Sequence, residues 1–221
     1  LGNCLRAAGD IEAAEQSYRH AIKIDREYAE AFNNLGLTLQ LDSRLDGAVE
    51  CFQIAIDLRP SYVEALQNLA TSELQRGNFI TCIELASRVI HLDGDVLEAH
   101  YTKGNALVAL KEYENAAGHF SEALNIDPNH FDTLVNFSDA LLKSGKYLDA
   151  LDLCNRAIKI DPLSSKIPYN NRGAALKGLG RYSDALWSYE KAIEIDNEFG
   201  EGHYNIAIIL AELCEFEESF F

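Results

Sequence analysis

The sequence predicts an all-α superhelix, a solenoid of stacked antiparallel helix pairs, and three observations carry that prediction. The pentapeptide AIKID at 21–25 returns at 157–161, which is 136 residues or four times 34 later, and a near-copy, AIEID, stands at 192–196. Written in rows of 34, the chain aligns small residues in two columns and branched aliphatic ones in a third. Glycine and proline recur at two fixed places in the row. A period of this size marks an array of hairpins, each too small to bury its apolar face alone and each stabilised by stacking on its neighbours.

The rows begin at Ala29, Val63, Leu97, Phe131 and Lys166, with Ser165 inserted before the last. Numbering each row from 1, position 8 is small throughout: Gly2, Gly36, Ala70, Gly104, Ser138, Gly173 and Ala207. Position 20 is Ala14, Ala48, Cys82, Ala116, Ala150, Ala185 and Ser219, and position 28 is Ile or Leu from Ile22 to Ile193. Small residues at 8 and 20 let two helices approach, and bulky ones at 17 (Ile11 to Phe216) and 24 (Tyr18, Phe52, Phe120, Tyr189) fill the gaps. Gly9, Gly77, Gly145 and Gly180 at position 15, with Pro60, Pro128 and Pro162 at position 32, end the helices. Each row therefore reads as helix A, a turn near 15, helix B and a turn near 32. The expected division is a partial repeat over 1–28, full repeats over 29–62, 63–96, 97–130, 131–164 and 166–199, and a partial repeat over 200–221 that enters a helix B. The chain opens at position 7 and holds no methionine, so it is expected to be an excerpt of a longer array.

Leu35, Gly36, Ala48, Phe52, Ala55 and Pro60, and likewise Gly104, Tyr113, Ala116, Phe120, Ala123 and Pro128, resemble the tetratricopeptide signature along essentially the whole chain. Position 4, often Trp in that family, is here Phe32, Leu66, His100, Leu134, Tyr169 and His203, and the row from Val63 departs further with Glu73 at position 11 and Ala86 at 24.

Composition narrows the function. Acidic residues outnumber basic ones 35 to 19, a net charge of −16 with no basic run, which opposes binding to nucleic acid or to an anionic membrane. Apolar stretches such as 206–210 are far too short to span a bilayer. Cys4, Cys51, Cys82, Cys154 and Cys214 stand singly, which fits reduced thiols in a cytoplasmic compartment better than a disulfide frame or zinc site. The glycines of RGAALKGLGR are positions 8 and 15 of a repeat rather than a phosphate loop, since no Gly-Lys-Ser/Thr follows. His100 and His203 occupy a packing position, and the Asn136-Phe137-Ser138 triplet lies mid-helix. Asp25, Asp93, Asp127, Asp161 and Asp196 open turns after helix B. No catalytic residue, cofactor or metal site is assigned.

The remaining signal is a polar face of helix A. At 100° per residue, positions 3, 4, 7, 8, 10 and 11 pack while 2, 5, 6, 9, 12 and 13 are expected to face a partner. Position 6 reads Asn34, Asn68, Thr102, Asn136, Asn171 and Asn205, although Asn is a mediocre helix former. Amides one repeat apart can grip the backbone of an extended peptide, because each offers donors and an acceptor. They can equally bond to a neighbouring helix and fix the repeat angle. Tyr101, Asn170 and Tyr204 at position 5, with Asn105 and Asp139 at position 9, complete the candidate groove. The row resembles the asparagine ladder of the O-linked N-acetylglucosamine transferase superhelix, which implies either a scaffold for a protein or peptide partner or the substrate-recruiting arm of a larger enzyme. Position 2 is acidic at Glu30, Glu64, Glu98, Asp132 and Glu201, and position 5 lacks the lysines that clamp a C-terminal carboxylate in chaperone-binding members of the family, so a neutral or basic segment is expected.

Overall fold

The computed structural model describes the backbone of residues 1–218 and side chains as far as Leu213, so Ser219 and the side chains of Cys214 and Phe216 lie outside the described residues. The chain divides into two compact units, 1–110 and 111–221. The first holds α1 (Gly2–Ala7), α2 (Ile11–Ile24), α3 (Ala29–Leu41), α4 (Leu45–Leu58), α5 (Val63–Gln75), α6 (Phe79–Leu92) and α7 (Leu97–Ala109). The second holds α8 (Tyr113–Ile126), α9 (Phe131–Lys143), α10 (Tyr147–Ile160), α11 (Ile167–Gly178), α12 (Tyr182–Ile195) and α13 (Gly200–Glu218). Within each unit helices pack on their sequence neighbours, and consecutive A helices also touch: α3 on α5, α5 on α7, and α9 on α11.

The turns explain where the helices stop. Position 15 is left-handed in each hairpin, with φ of 81° at Gly9, 78° at Gly77, 74° at Gly145 and 73° at Gly180. Ser43 and Lys111 adopt the same conformation without being glycine, at 60° and 64°. The paired bonds Gly145 N–H to Leu142 O and Lys146 N–H to Leu141 O close the helix A end as a Schellman motif. After helix B, the Oδ1 of Asp25, Asp93, Asp127 and Asp196 accepts the backbone N–H two residues on, and that of Asp161 accepts from Leu163 and Ser164. These carboxylates are turn formers, as their spacing predicts.

Positions 8 and 24 turn out to be partners across the hairpin. A Cβ placed on Gly36 would lie 2.6 Å from Phe52 Cε1, and Gly2 and Gly173 meet Tyr18 and Tyr189 equally closely. Where position 24 is small, position 8 is larger: Ala70 with Ala86, and Ser138 with Cys154. This is how the row from Val63 keeps its packing. Its other departure, Glu73, is 6% exposed and bonded to Arg76 at 3.0 Å and to Asn78 at 2.5 Å. Every described residue at position 20 is fully buried.

The last row differs from expectation. A turn is predicted near Cys214, yet α13 runs unbroken to Glu218. Cys214 is flanked by Leu, Ala and Glu residues, which favour helix. Ala207, a position 8 residue, is correspondingly exposed. Among the described residues no helix is long and apolar enough to cross a membrane.

Candidate functional site: the helix A face

Consecutive A helices are tied by polar rungs that run from position 5 of one row to position 6 of the next. Asn68 Nδ2 donates to Asn33 Oδ1 at 3.0 Å, Gln67 Nε2 to Thr102 Oγ1 at 3.0 Å, and Asn205 Nδ2 to Asn170 Oδ1 at 3.0 Å. Asn171 reaches deeper, donating from Nδ2 to Ser138 Oγ at 3.0 Å in a buried pair. The face expected to be open is therefore only partly so. Asn33, Thr102, Asn170 and Asn171 are 4–6% exposed, because consecutive A helices lie close enough for these side chains to be enclosed between them. Asn34 and Asn68 in the first unit and Asn136 and Asn205 in the second are half-buried, as are Tyr101, Asn105 and Asp139. Asp139 pairs with Lys143 at 2.6 Å, and Tyr204 stands 66% exposed.

Unit 1–110 thus gathers Asn34, Asn68, Tyr101, Thr102 and Asn105, and unit 111–221 gathers Asn136, Asp139, Asn170, Asn171, Tyr204 and Asn205. Sequence reasoning missed Gln67. Its Nε2 lies 3.3 Å from Glu98 O, an acceptor only, which fixes the amide orientation and leaves the buried Oε1 with no partner among the described residues. The signal was present in the sequence, since position 5 carries amides at Asn33, Gln67 and Asn170 ahead of each rung acceptor or donor. At position 2, Glu30 pairs with Arg59 at 2.8 Å and Glu201 accepts from Asn170, while Glu64, Glu98 and Asp132 are exposed and leave the rim acidic.

The thiols and imidazoles have structural surroundings. Burial pushes the Cys51 thiol up to about 11 and those of Cys82 and Cys154 to about 12, so none is a thiolate at neutral pH. His100 Nε2 lies 3.3 Å from Gly94 O and His203 Nε2 3.0 Å from Asn197 O, the same position in two rows, each steadying the turn before its helix. Among the described residues no group of three His, Cys, Asp or Glu side chains is placed to hold a metal ion.

Family models match at three places: the TPR repeat over residues 2–43, and the tetratricopeptide repeat over 97–130 and again over 168–199. The chain is a tetratricopeptide repeat protein. Among solved structures, this tetratricopeptide array matches YrrB, described as a TPR protein with an unusual peptide-binding site, with a TM-score of 0.75 and 18% identity over 86% of this chain and 97% of that one. PilF of Pseudomonas aeruginosa matches with a TM-score of 0.81 and 16% identity over 96% and 94% of the two chains. At these identities the likeness establishes the fold, an α–α superhelix class. Among curated proteins, a probable UDP-N-acetylglucosamine–peptide N-acetylglucosaminyltransferase SPINDLY of Hordeum vulgare is 26% identical over 148 residues, 64% of this chain and 16% of that protein. The Hsp70-Hsp90 organizing protein of Triticum aestivum is 37% identical over 94 residues, 42% of this chain and again 16% of the relative. The tetratricopeptide chain thus corresponds to a small part of the length of these relatives.

Proposed function

We propose that this chain is a protein-interaction scaffold that holds a peptide segment of a partner along the face of helix A. The observation that carries the reading is the Gln67 amide, whose buried Oε1 has no partner among the described residues while its nitrogen is fully engaged. A buried acceptor left unpaired costs about 1 to 3 kcal/mol, and a small rotation of the half-buried Gln67 side chain would present it to the backbone N–H of an extended peptide. Asn34 and Asn68 flank it at position 6, each half-buried, and an amide has more hydrogen-bonding capacity than a single rung consumes. The exposed Glu64, Glu98 and Asp132 favour a neutral or basic segment.

The test is an array of extended peptides graded from acidic to basic, probed with the chain and with a variant in which Asn34, Gln67 and Asn205 are alanine. The scaffold reading expects neutral and basic peptides to bind and the variant to lose well over tenfold in affinity with its helical circular dichroism intact. Binding unchanged in the variant would rule out the helix A face.

A second reading rests on the likeness to the SPINDLY protein, named as a probable peptide N-acetylglucosaminyltransferase. In it the same face recruits substrate for a catalytic domain elsewhere in a longer protein. Sequencing the gene beyond the codon for Phe221 decides between the two: a glycosyltransferase domain there supports the recruiting arm, and its absence from the whole reading frame removes it.

A further inference from the structure

A repeat protein contains its own controls, because equivalent clefts recur with different linings. Three such clefts lie between consecutive B helices, floored by positions 7 and 11 of the intervening helix A. Between α4 and α6 the floor holds Leu69, and between α8 and α10 it holds Phe137. Between α10 and α12 the cleft, about 480 Å³, has Arg172 at that place instead. At position 22, where three other rows carry Glu50, Glu84 and Asp152 and two carry Gln16 and Gly118, this row carries Trp187, the one tryptophan of the chain. At these two positions an apolar residue and, in three of the rows, a carboxylate give way to a guanidinium and an indole, while Leu151, Leu176 and Asp184 also line the cleft.

Arg172 is held in place by three contacts. Its Nε donates to Ser188 Oγ at 3.0 Å, and its Cζ lies 4.7 Å from the centroid of the Trp187 ring and 5.7 Å from that of Tyr169. Ser188 in turn donates to Asp184 O at 2.8 Å. Among the described residues no carboxylate forms an ion pair with Arg172; Asp184 across the cleft is taken by Arg181 at 2.6 Å. Burial pulls the guanidinium of half-buried Arg172 below its ordinary value, with the nearby Asp184 carboxylate opposing the shift only in part. Lys191, 5.5 Å from the Trp187 centroid, adds positive charge at the edge and is partnered by Glu194. In a chain of net charge −16 this is a local reversal of sign.

We propose that the cleft between α10 and α12 is a second recognition site, which takes the carboxylate of an acidic side chain from a partner's peptide segment onto the Nη atoms of Arg172, against the Trp187 indole. A planar guanidinium matches a carboxylate with two parallel hydrogen bonds, and stacking on aromatic rings fixes its plane beforehand, so little side-chain freedom is lost on binding. Arg181 and Asn155 line the same cleft and offer further donors. The site is built from the B helices and the inner positions of α11, and its existence does not depend on peptide binding at the helix A face.

Trp187 is a built-in reporter. The blocked tripeptides Ala-Glu-Ala and Ala-Gln-Ala, isosteric apart from the charge, are titrated into the unmodified chain at fixed ionic strength, following tryptophan fluorescence and the indole N–H resonance. The glutamate peptide is expected to give a saturable change at least about tenfold tighter than the glutamine peptide, and Arg172→Leu, the residue found at this place in Leu35 and Leu69, to abolish it. Equal responses to the two peptides overturn the proposal, as does a response that survives Arg172→Leu. Inorganic phosphate is the third arm: a response as tight as that to the glutamate peptide would assign the cleft to phosphate and overturn the carboxylate reading. The comparison of peptides uses the unmodified chain and decides the matter even where the variant fails to fold.

Discussion

At the scale of single residues, the same side-chain chemistry serves opposite ends depending on burial. Asn171 and Asn34 occupy the same column, yet Asn171 is 6% exposed and bonded to Ser138, while Asn34 is half-buried at the opening of its row. Replacing Asn171 by Ala removes the bond that the buried Ser138 hydroxyl accepts, leaving only its donation to Val135 O at 2.7 Å, and should cost about 0.5 to 1.5 kcal/mol in urea denaturation, whereas Asn34→Ala should change stability by less than about 0.5 kcal/mol. Equal effects from the two would show that the rungs carry no structural weight. The cysteines give a second residue-level prediction. At neutral pH iodoacetamide should label exposed Cys4 in the folded chain, while Cys51, Cys82 and Cys154, with burial raising their thiols to about 11 to 12, should react only after denaturation. Peptide mapping by mass spectrometry reads both states. The individual asparagines were legible in the sequence as a column, but their partners were not, because Asn68 to Asn33 and Asn171 to Ser138 join different repeats in a register that only the stacked helices define.

At the scale of the element, the hairpin is governed by local rules that sequence carries well. Glycine at position 15 and aspartate at position 31 each act within a few residues, so Gly77, Gly145 and Asp127 announce their turns without knowledge of the fold. The coupling of positions 8 and 24 is different: Gly36 and Phe52 were visible as one small and one bulky column, while their contact is tertiary. Gly36→Ala should push a methyl into the Phe52 ring and cost about 1 to 3 kcal/mol, and that penalty should largely vanish in a Phe52→Leu background, as a double-mutant cycle measures. Ser43 offers the converse. Its left-handed backbone costs an L-residue about 1 to 2 kcal/mol, partly offset by the extra freedom glycine brings to the unfolded chain, so Ser43→Gly should stabilise by up to about 1 kcal/mol in thermal melts. A lower melting temperature would mean that the serine side chain contributes more than its backbone strain removes.

At the scale of the molecule, contacts within each unit run between neighbouring helices, so repeats rather than residues are the units of tolerance. Removing residues 97–130 as one 34-residue unit should be far less damaging, by circular dichroism and cooperative unfolding, than removing a 17-residue half. Function at this scale was only partly legible: the acidic composition and the lack of catalytic constellations pointed to a scaffold, but Gln67, Arg172 and Trp187 acquire meaning only from what surrounds them. The central claim is that the helix A face holds an extended peptide through its amides, and side-chain amide resonances of asparagine and glutamine report on it directly. When a neutral or basic peptide that binds is added to the ¹⁵N-labelled chain, the resonances of Asn34, Gln67, Asn68 and Asn205 should shift in saturable fashion, while the indole N–H of Trp187 stays in place. Saturable binding that leaves those four amides unmoved and shifts only residues of the B helices would contradict the account.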